Sequence, residues 1–217
     1  MGAETPLAPA AGPRALPPAP AAGGAVGELA RRGARWLRRQ LQDPDRPLVA
    51  VEVRPRSLGV VRLAREGRRR LVLGAAASVD LPPGCLDLSI VQPNLTSAEG
   101  FQRALRSALE KSGVVQGAGV ALVLPDPVAR VALLPAAEIG SHGHAQTEEL
   151  IRFRLRKSVP FEIREARVAF APAGAQGADA LLVAAIHRPV LEGYEAACRA
   201  VGLEPGLVEL SGLALLA

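Results

Sequence analysis

Three short apolar runs, Leu48–Val53, Leu58–Arg65 and Arg70–Val79, are bounded by turn residues and read as strands. Glu66-Gly67 supplies the turn between the last two. Residues 81–95 are broken by Pro82, Pro83 and Pro93 and read as loop. A helix is predicted from Ser97, whose side chain suits an N-cap, to Gly113, with Phe101, Leu105, Ala108 and Leu109 as its buried stripe. Val120–Leu124 is a continuous apolar run, the mark of a buried strand, and Val128–Leu134 returns after Pro125-Asp126-Pro127.

A glycine-bearing loop, Ile139–His144, leads to a helix over Glu148–Lys157 that stops before Pro160. Leu150, Ile151, Phe153 and Leu155 are its candidate core-facing edge. Ala166–Ala171 and Ala180–Ile186 read as strands around the Gly174–Gly177 turn. Pro189–Val201 reads as a helix with proline in its first turn and Gly202 after its end. Leu207–Leu210 is a short strand, and Ser211 opens a further apolar segment near Ala217. That segment has nothing to close on, so the sequence is expected to be a fragment of a longer one.

The N-terminal part behaves differently. Residues 1–25 are rich in Pro, Ala and Gly and hold almost no large apolar side chain. Such a segment cannot bury enough surface to offset its ordering entropy and is expected to be disordered. Residues 26–46 follow as a basic helix and linker. On a helical wheel Arg31, Arg32, Arg35, Arg38 and Arg39 fall on one arc, with Val26, Leu29, Ala30, Trp36, Leu37 and Leu41 opposite. Two uses fit: packing on the domain that follows, or lying on an anionic membrane surface through Arg31, Arg35, Trp36, Arg38 and Arg39.

Composition narrows the classes. The chain has 217 residues, enough for one large or two small domains, and 49% are hydrophobic. With four Phe, one Trp and one Tyr, the core must be aliphatic. The net charge of +5 is concentrated in the 31–39 segment and Arg68–Arg70, so local basic patches are implied and a nucleic-acid surface is not. Two cysteines, Cys85 and Cys198, make no disulfide framework, and Cys198 reads as a small core hydrophobe. The N-terminus lacks a signal peptide's apolar region, and no stretch matches a membrane span. The expectation is a soluble, cytoplasmic protein.

Candidate chemistry is sparse. His142 and His144 form an H-x-H pair with only Glu138, Glu148 or Glu149 as further ligands, and read as a solvated loop. His187 ends an apolar strand with no evident partner in the sequence. No nucleophile elbow, P-loop, C-x-x-C or paired-carboxylate motif is present, and no metal or cofactor is expected. The segment bearing Arg152, Arg154, Arg156 and Lys157 is either a solvated basic face or a docking face for an acidic partner or lipid.

Four stretches together resemble the type IV pilus assembly PilM family, part of the actin-like ATPase superfamily and related to FtsA. They are VAVEVRPRSLGVVRL, VALVLPDPVARVALLPAAEI, EELIRFRLRKSVPFEIREARVAF and ALLVAAIHRPVLEGYEAACRAVGLEPGLVELSGLAL, together spanning about residues 47–217. The resemblance implies an α/β fold: an actin-like (RNase H-like) half with a small inserted α+β subdomain. It divides the chain into 47–135, the insertion 136–187, and a truncated return at 188–217. It also implies a scaffold peripheral to the inner membrane that binds a cytoplasmic peptide of a PilN-like protein, at a surface including Val159, Pro160 and Phe161. A homo-oligomer is compatible with it.

ATP and Mg belong to the full-length family, but this chain departs from the family's glycine-serine-rich phosphate turn. It has Glu52, Arg54, Pro55, Arg56 and Ser57 there, and Gly59 where the family carries a lysine. Backbone amides cradle phosphate when glycine lets the chain come close, whereas proline donates no N–H. The turn is expected to be degenerate, although Arg54 and Arg56 are themselves able to grip phosphate. Arg154 likewise stands where the family tends to carry an acid. Two alternatives remain: an actin-like ATPase with its second half missing, and the cytoplasmic domain of a type II secretion GspL-like protein.

Overall fold

The computed structural model describes residues 46–67, 70–139, 143–173 and 179–215. The predicted tail, the basic segment with Arg31, Arg35, Trp36, Arg38 and Arg39, and His142 lie outside the described residues.

The first three strands form a meander: β1 Val49–Val53, β2 Ser57–Glu66 and β3 Arg70–Asp80, each antiparallel to its neighbour. Gly67 turns the chain between β2 and β3 at a positive φ of 67°, a conformation that favours glycine. Helix α1, Ala98–Ser112, starts at Ser97, whose Oγ accepts the Gly100 N–H at 3.1 Å, and ends at Gly113 in the left-handed region. Strand β4, Gly119–Leu124, runs parallel to β1, and β8, Glu204–Leu210, parallel to β4. The sheet order is β3-β2-β1-β4-β8.

A second unit is inserted between β4 and β8. A 3-10 turn at Asp126–Val128 leads into β5 Ala129–Pro135, then α2 Ala136–Ile139 and α3 His144–Leu155. After another 3-10 turn, Ile163–Glu165, come β6 Ala166–Ala173 and β7 Ala180–His187. These strands make an antiparallel sheet in the order β5-β7-β6. Helix α4, Arg188–Arg199, returns to β8, and α5, Ser211–Ala214, follows it.

Each sheet has its own core. Val49, Val51 and Val53 of β1 alternate inward with Leu58 and Val60 of β2 and with Val120, Leu122 and Leu124 of β4. They pack under Phe101, Leu105 and Ala108 of α1 and Val190, Leu191 and Tyr194 of α4. Cys198 is fully buried there, as the sequence predicted. The second core joins Ile151 and Leu155 of α3 to Ala166, Val168, Val183 and Ala185.

Several boundaries differ from the sequence reading. β5, grouped with the first region, pairs with β7 along its whole length, so the insertion begins near Asp126 and not at 136. The cause is Pro125-Asp126-Pro127, which turns the chain out of the first sheet. Ala129 and Val131 still touch the first core, which is why their apolar pattern suited either sheet. Helix α3 begins four residues before Glu148, at His144, because Thr147 is buried and its N–H bonds Gly143 O at 2.9 Å. Phe153 is not on the core edge: it is 65% exposed, with the Arg156 guanidinium 5.2 Å from its ring centre.

Candidate functional site

The parallel strands β1, β4 and β8 end together, so the loops after them meet along one edge of the first sheet. In open α/β sheets this carboxyl edge is where ligands settle. It carries the turn Arg54–Ser57, the Pro125-Asp126 corner and the Ser211-Gly212 start of α5.

The turn is closed on itself. Arg54 N–H donates to Ser57 O at 2.9 Å, and Pro55 has no N–H, so neither position offers a backbone donor to a ligand. Arg56 O accepts the Leu81 N–H at 2.8 Å, tying the turn to the end of β3. The acid of the motif is engaged as well: Glu52 Oε2 lies 2.5 Å from Arg54 Nη2. That hydrogen bond, with the charge of Glu52, raises the Arg54 pKa above its ordinary value. Gly59 sits opposite Glu52 in the ladder, and a Cβ there would lie 3.5 Å from the same carboxylate oxygen. The position that could carry a cation toward a phosphate thus lies beneath the Glu52 side chain. Asp126 is also occupied, its Oδ1 accepting the Gly212 N–H at 2.9 Å.

The second candidate region joins the two sheets. Its centre is His187, the last residue of β7, which the sequence left without a partner. Nδ1 of His187 is 2.6 Å from Val91 O in the loop before α1, and Nε2 is 3.3 Å from Glu165 Oε2. Phe161 stacks on the imidazole with ring centres 4.7 Å apart and planes 20° apart. Three segments remote in sequence therefore meet at one buried ring.

The predicted partner surface, Val159, Pro160 and Phe161, divides. Val159 is buried in the second core, Pro160 is exposed, and Phe161 is half-buried against His187. Only Pro160 and part of Phe161 can meet a partner from outside. A valine between Leu155 and Ile163 fills the gap under α3, so its burial follows from packing. The exposed basic residues Arg154, Arg156 and Lys157 lie close in sequence to Pro160, and Arg154 is 3.3 Å from Glu138. His144 lies against Phe170 with ring centres 4.8 Å apart and planes tilted by 30°, and no group of metal ligands occurs among the described residues.

The strand order 3-2-1-4-8, with a small antiparallel sheet let in between β4 and the last helix–strand pair, defines half of an actin-like fold. Comparison with solved structures makes this more specific: the fold is PilM-like. The chain is similar to a chain of the PilM–PilN type IV pilus biogenesis complex, at 21% identity and a TM-score of 0.65, over 80% of this chain and 50% of that one. It is also similar to the cytoplasmic domain of EpsL, an inner membrane component of the type II secretion system of Vibrio cholerae. There the identity is 12% and the TM-score 0.50, over 76% of this chain and 58% of that one. The chain thus spans between half and three fifths of the length of these structures. No protein-family model and no curated protein matches it.

Proposed function

We propose that this chain is a non-catalytic scaffold of a type IV pilus assembly machine, holding the cytoplasmic peptide of an inner-membrane PilN-like partner. The observation that carries this reading is the fold shared, over 80% of the chain, with a chain of the PilM–PilN complex. Pro160 and the open edge of Phe161 are the contact points on the insertion, with the His187 stack beneath them as a rigid base. The scaffold works on the cytoplasmic side of the inner membrane. No helix among the described residues is long and apolar enough to cross a membrane. The likeness to EpsL supports a related role in type II secretion as a second reading.

The closed turn argues for a scaffold without nucleotide chemistry. A phosphate would have to displace the Arg54 amide from Ser57 O and the Arg54 side chain from Glu52. The test is fluorescence anisotropy with a labelled synthetic peptide copying the cytoplasmic N-terminus of a PilN-like protein. Saturable binding at micromolar concentrations is expected, weakened roughly tenfold, about 1.4 kcal/mol, by Phe161→Ala. An absence of binding at tens of micromolar overturns the partner assignment. Calorimetric titration with Mg-ATP is expected to give no heat of binding, and a stoichiometric signal lost in Arg54→Ala would restore the ATPase reading.

A further inference from the structure

Asn94 and His187 are two of the four buried polar residues among those described, and Ser89 and Val91 link them. The loop before α1 is held by its own polar groups. Asn94 Oδ1 accepts the Ser89 N–H at 2.8 Å, and Asn94 Nδ2 donates to Ser89 O at 2.9 Å. The loop is thereby pinched shut between residues 89 and 94. Inside it Ser89 Oγ accepts two amides, from Val91 at 3.1 Å and from Gln92 at 3.0 Å. A short hydroxyl side chain suits this position, since it reaches N–H groups a few residues on.

The Gln92 N–H and the Val91 C=O belong to one peptide unit. That unit is trans, as are all the described peptide bonds, so its two polar groups point in opposite directions. With the N–H held by Ser89 Oγ, the carbonyl is turned away from the loop, and Val91 O stands 2.6 Å from His187 Nδ1. A carbonyl oxygen only accepts, so Nδ1 carries a proton. A bond of this kind sets which ring nitrogen is protonated and how the imidazole is oriented. Phe161 stacks on that ring, 20° from parallel. Glu165, 3.3 Å from Nε2, has a side chain 62% exposed and is the looser hold.

We propose that Ser89 is a positioning residue for partner binding: it aims the Val91 carbonyl at His187 and so fixes the ring on which Phe161 rests. The effect on the peptide rests on the partner reading above, whereas the bond between Val91 and His187 is measured without peptide. Long-range proton–nitrogen NMR spectra of the full chain show which ring nitrogens are protonated, and His187→Gln marks the signals of His187 among the three histidines. In the unmodified chain a proton is expected on Nδ1, exchanging slowly with water. Ser89→Ala is expected to speed that exchange about tenfold and to weaken the labelled PilN-like peptide about fivefold, with far-UV circular dichroism unchanged. Ser89→Thr, which keeps the hydroxyl, is expected to restore both. A bare Nδ1 in the unmodified chain overturns the proposal with no variant needed, as does exchange that Ser89→Ala leaves unchanged. So does a Ser89→Ala chain whose Nδ1–H exchanges fast while the peptide binds at full strength, or a Ser89→Thr chain that restores neither readout. If the unmodified chain binds no peptide, the partner reading falls and the positioning role with it. A slow Nδ1–H that Ser89→Ala releases then still supports the link from Ser89 through Val91 to His187.

Discussion

Tyr194 offers a test of how the first core is built. Its ring is fully buried in α4 and meets Phe101 of α1 edge-on, with centres 6.2 Å apart and planes 62° apart. Its hydroxyl finds no hydrogen-bond partner among the described residues. A buried hydroxyl left unpaired costs about 1–3 kcal/mol, because it gives up water and receives nothing in return. Tyr194→Phe removes that oxygen and keeps the ring and its edge-on contact. The variant is therefore expected to be more stable at pH 7 by about 1 kcal/mol, or about 2–4 °C in Tm for a chain of this size.

Alkaline pH adds a second readout. Burial pushes the Tyr194 pKa up, so between the unfolded value near 10 and the folded value only the unfolded chain loses this proton. The native state then binds more protons than the unfolded one, and stability falls as pH rises through that window. Tyr194→Phe removes this share of the fall. Urea unfolding followed by circular dichroism at pH 7 and pH 10.5 measures both effects. A loss of 1 kcal/mol or more at pH 7 would refute the reasoning, since it would mean that the hydroxyl is bonded and that its partner holds α4 in place.

Three further outcomes are expected. His187→Ala should destabilise the chain by about 2–3 kcal/mol in the same assay, since it removes the bond to Val91 O, the contact with Glu165 and the Phe161 stack. It should also weaken the PilN-like peptide. Cys198, whose pKa burial pushes up to about 12, should be inert to a disulfide reagent at pH 8 in the native protein and react at once in urea, as read by thiol absorbance. Gly212→Ala should lower Tm, because its Cβ would stand 2.7 Å from Asp126 Oδ2 and force that carboxylate off the Gly212 amide.

The strands of the first sheet were legible because each is a short apolar run between turn residues, and α1 because Ser97 and Gly113 mark both ends. The membership of β5 was not legible. Its residues are apolar enough for either sheet, and only the pairing of Ala129 with Ile186 decides between them. At the phosphate turn the sequence foretold the missing N–H of Pro55 and the missing glycine. It could not foretell that Glu52 would take Arg54 as its partner, because that depends on how the two side chains, two residues apart, are turned toward each other at the end of β1. His187 stayed invisible because its partners, Val91, Phe161 and Glu165, come from segments whose proximity only the fold creates. At Phe153 apolar character does not mean burial: the helix turns the ring outward to Arg156.

The pairing of Ala129 with Ile186 also bears on how the chain can assemble. The insertion enters and leaves the first sheet through neighbouring strands, so its two ends are held side by side. Once the β5-β7-β6 sheet has formed, the long excursion between β4 and β8 is reduced to a short bridge plus α4. The entropy of closing a loop rises with its length. Ordering the insertion first therefore makes the parallel pairing of β4 with β8 a nearly local event. Formed first, the small sheet would act as a clasp that brings β4 and β8 within reach of each other.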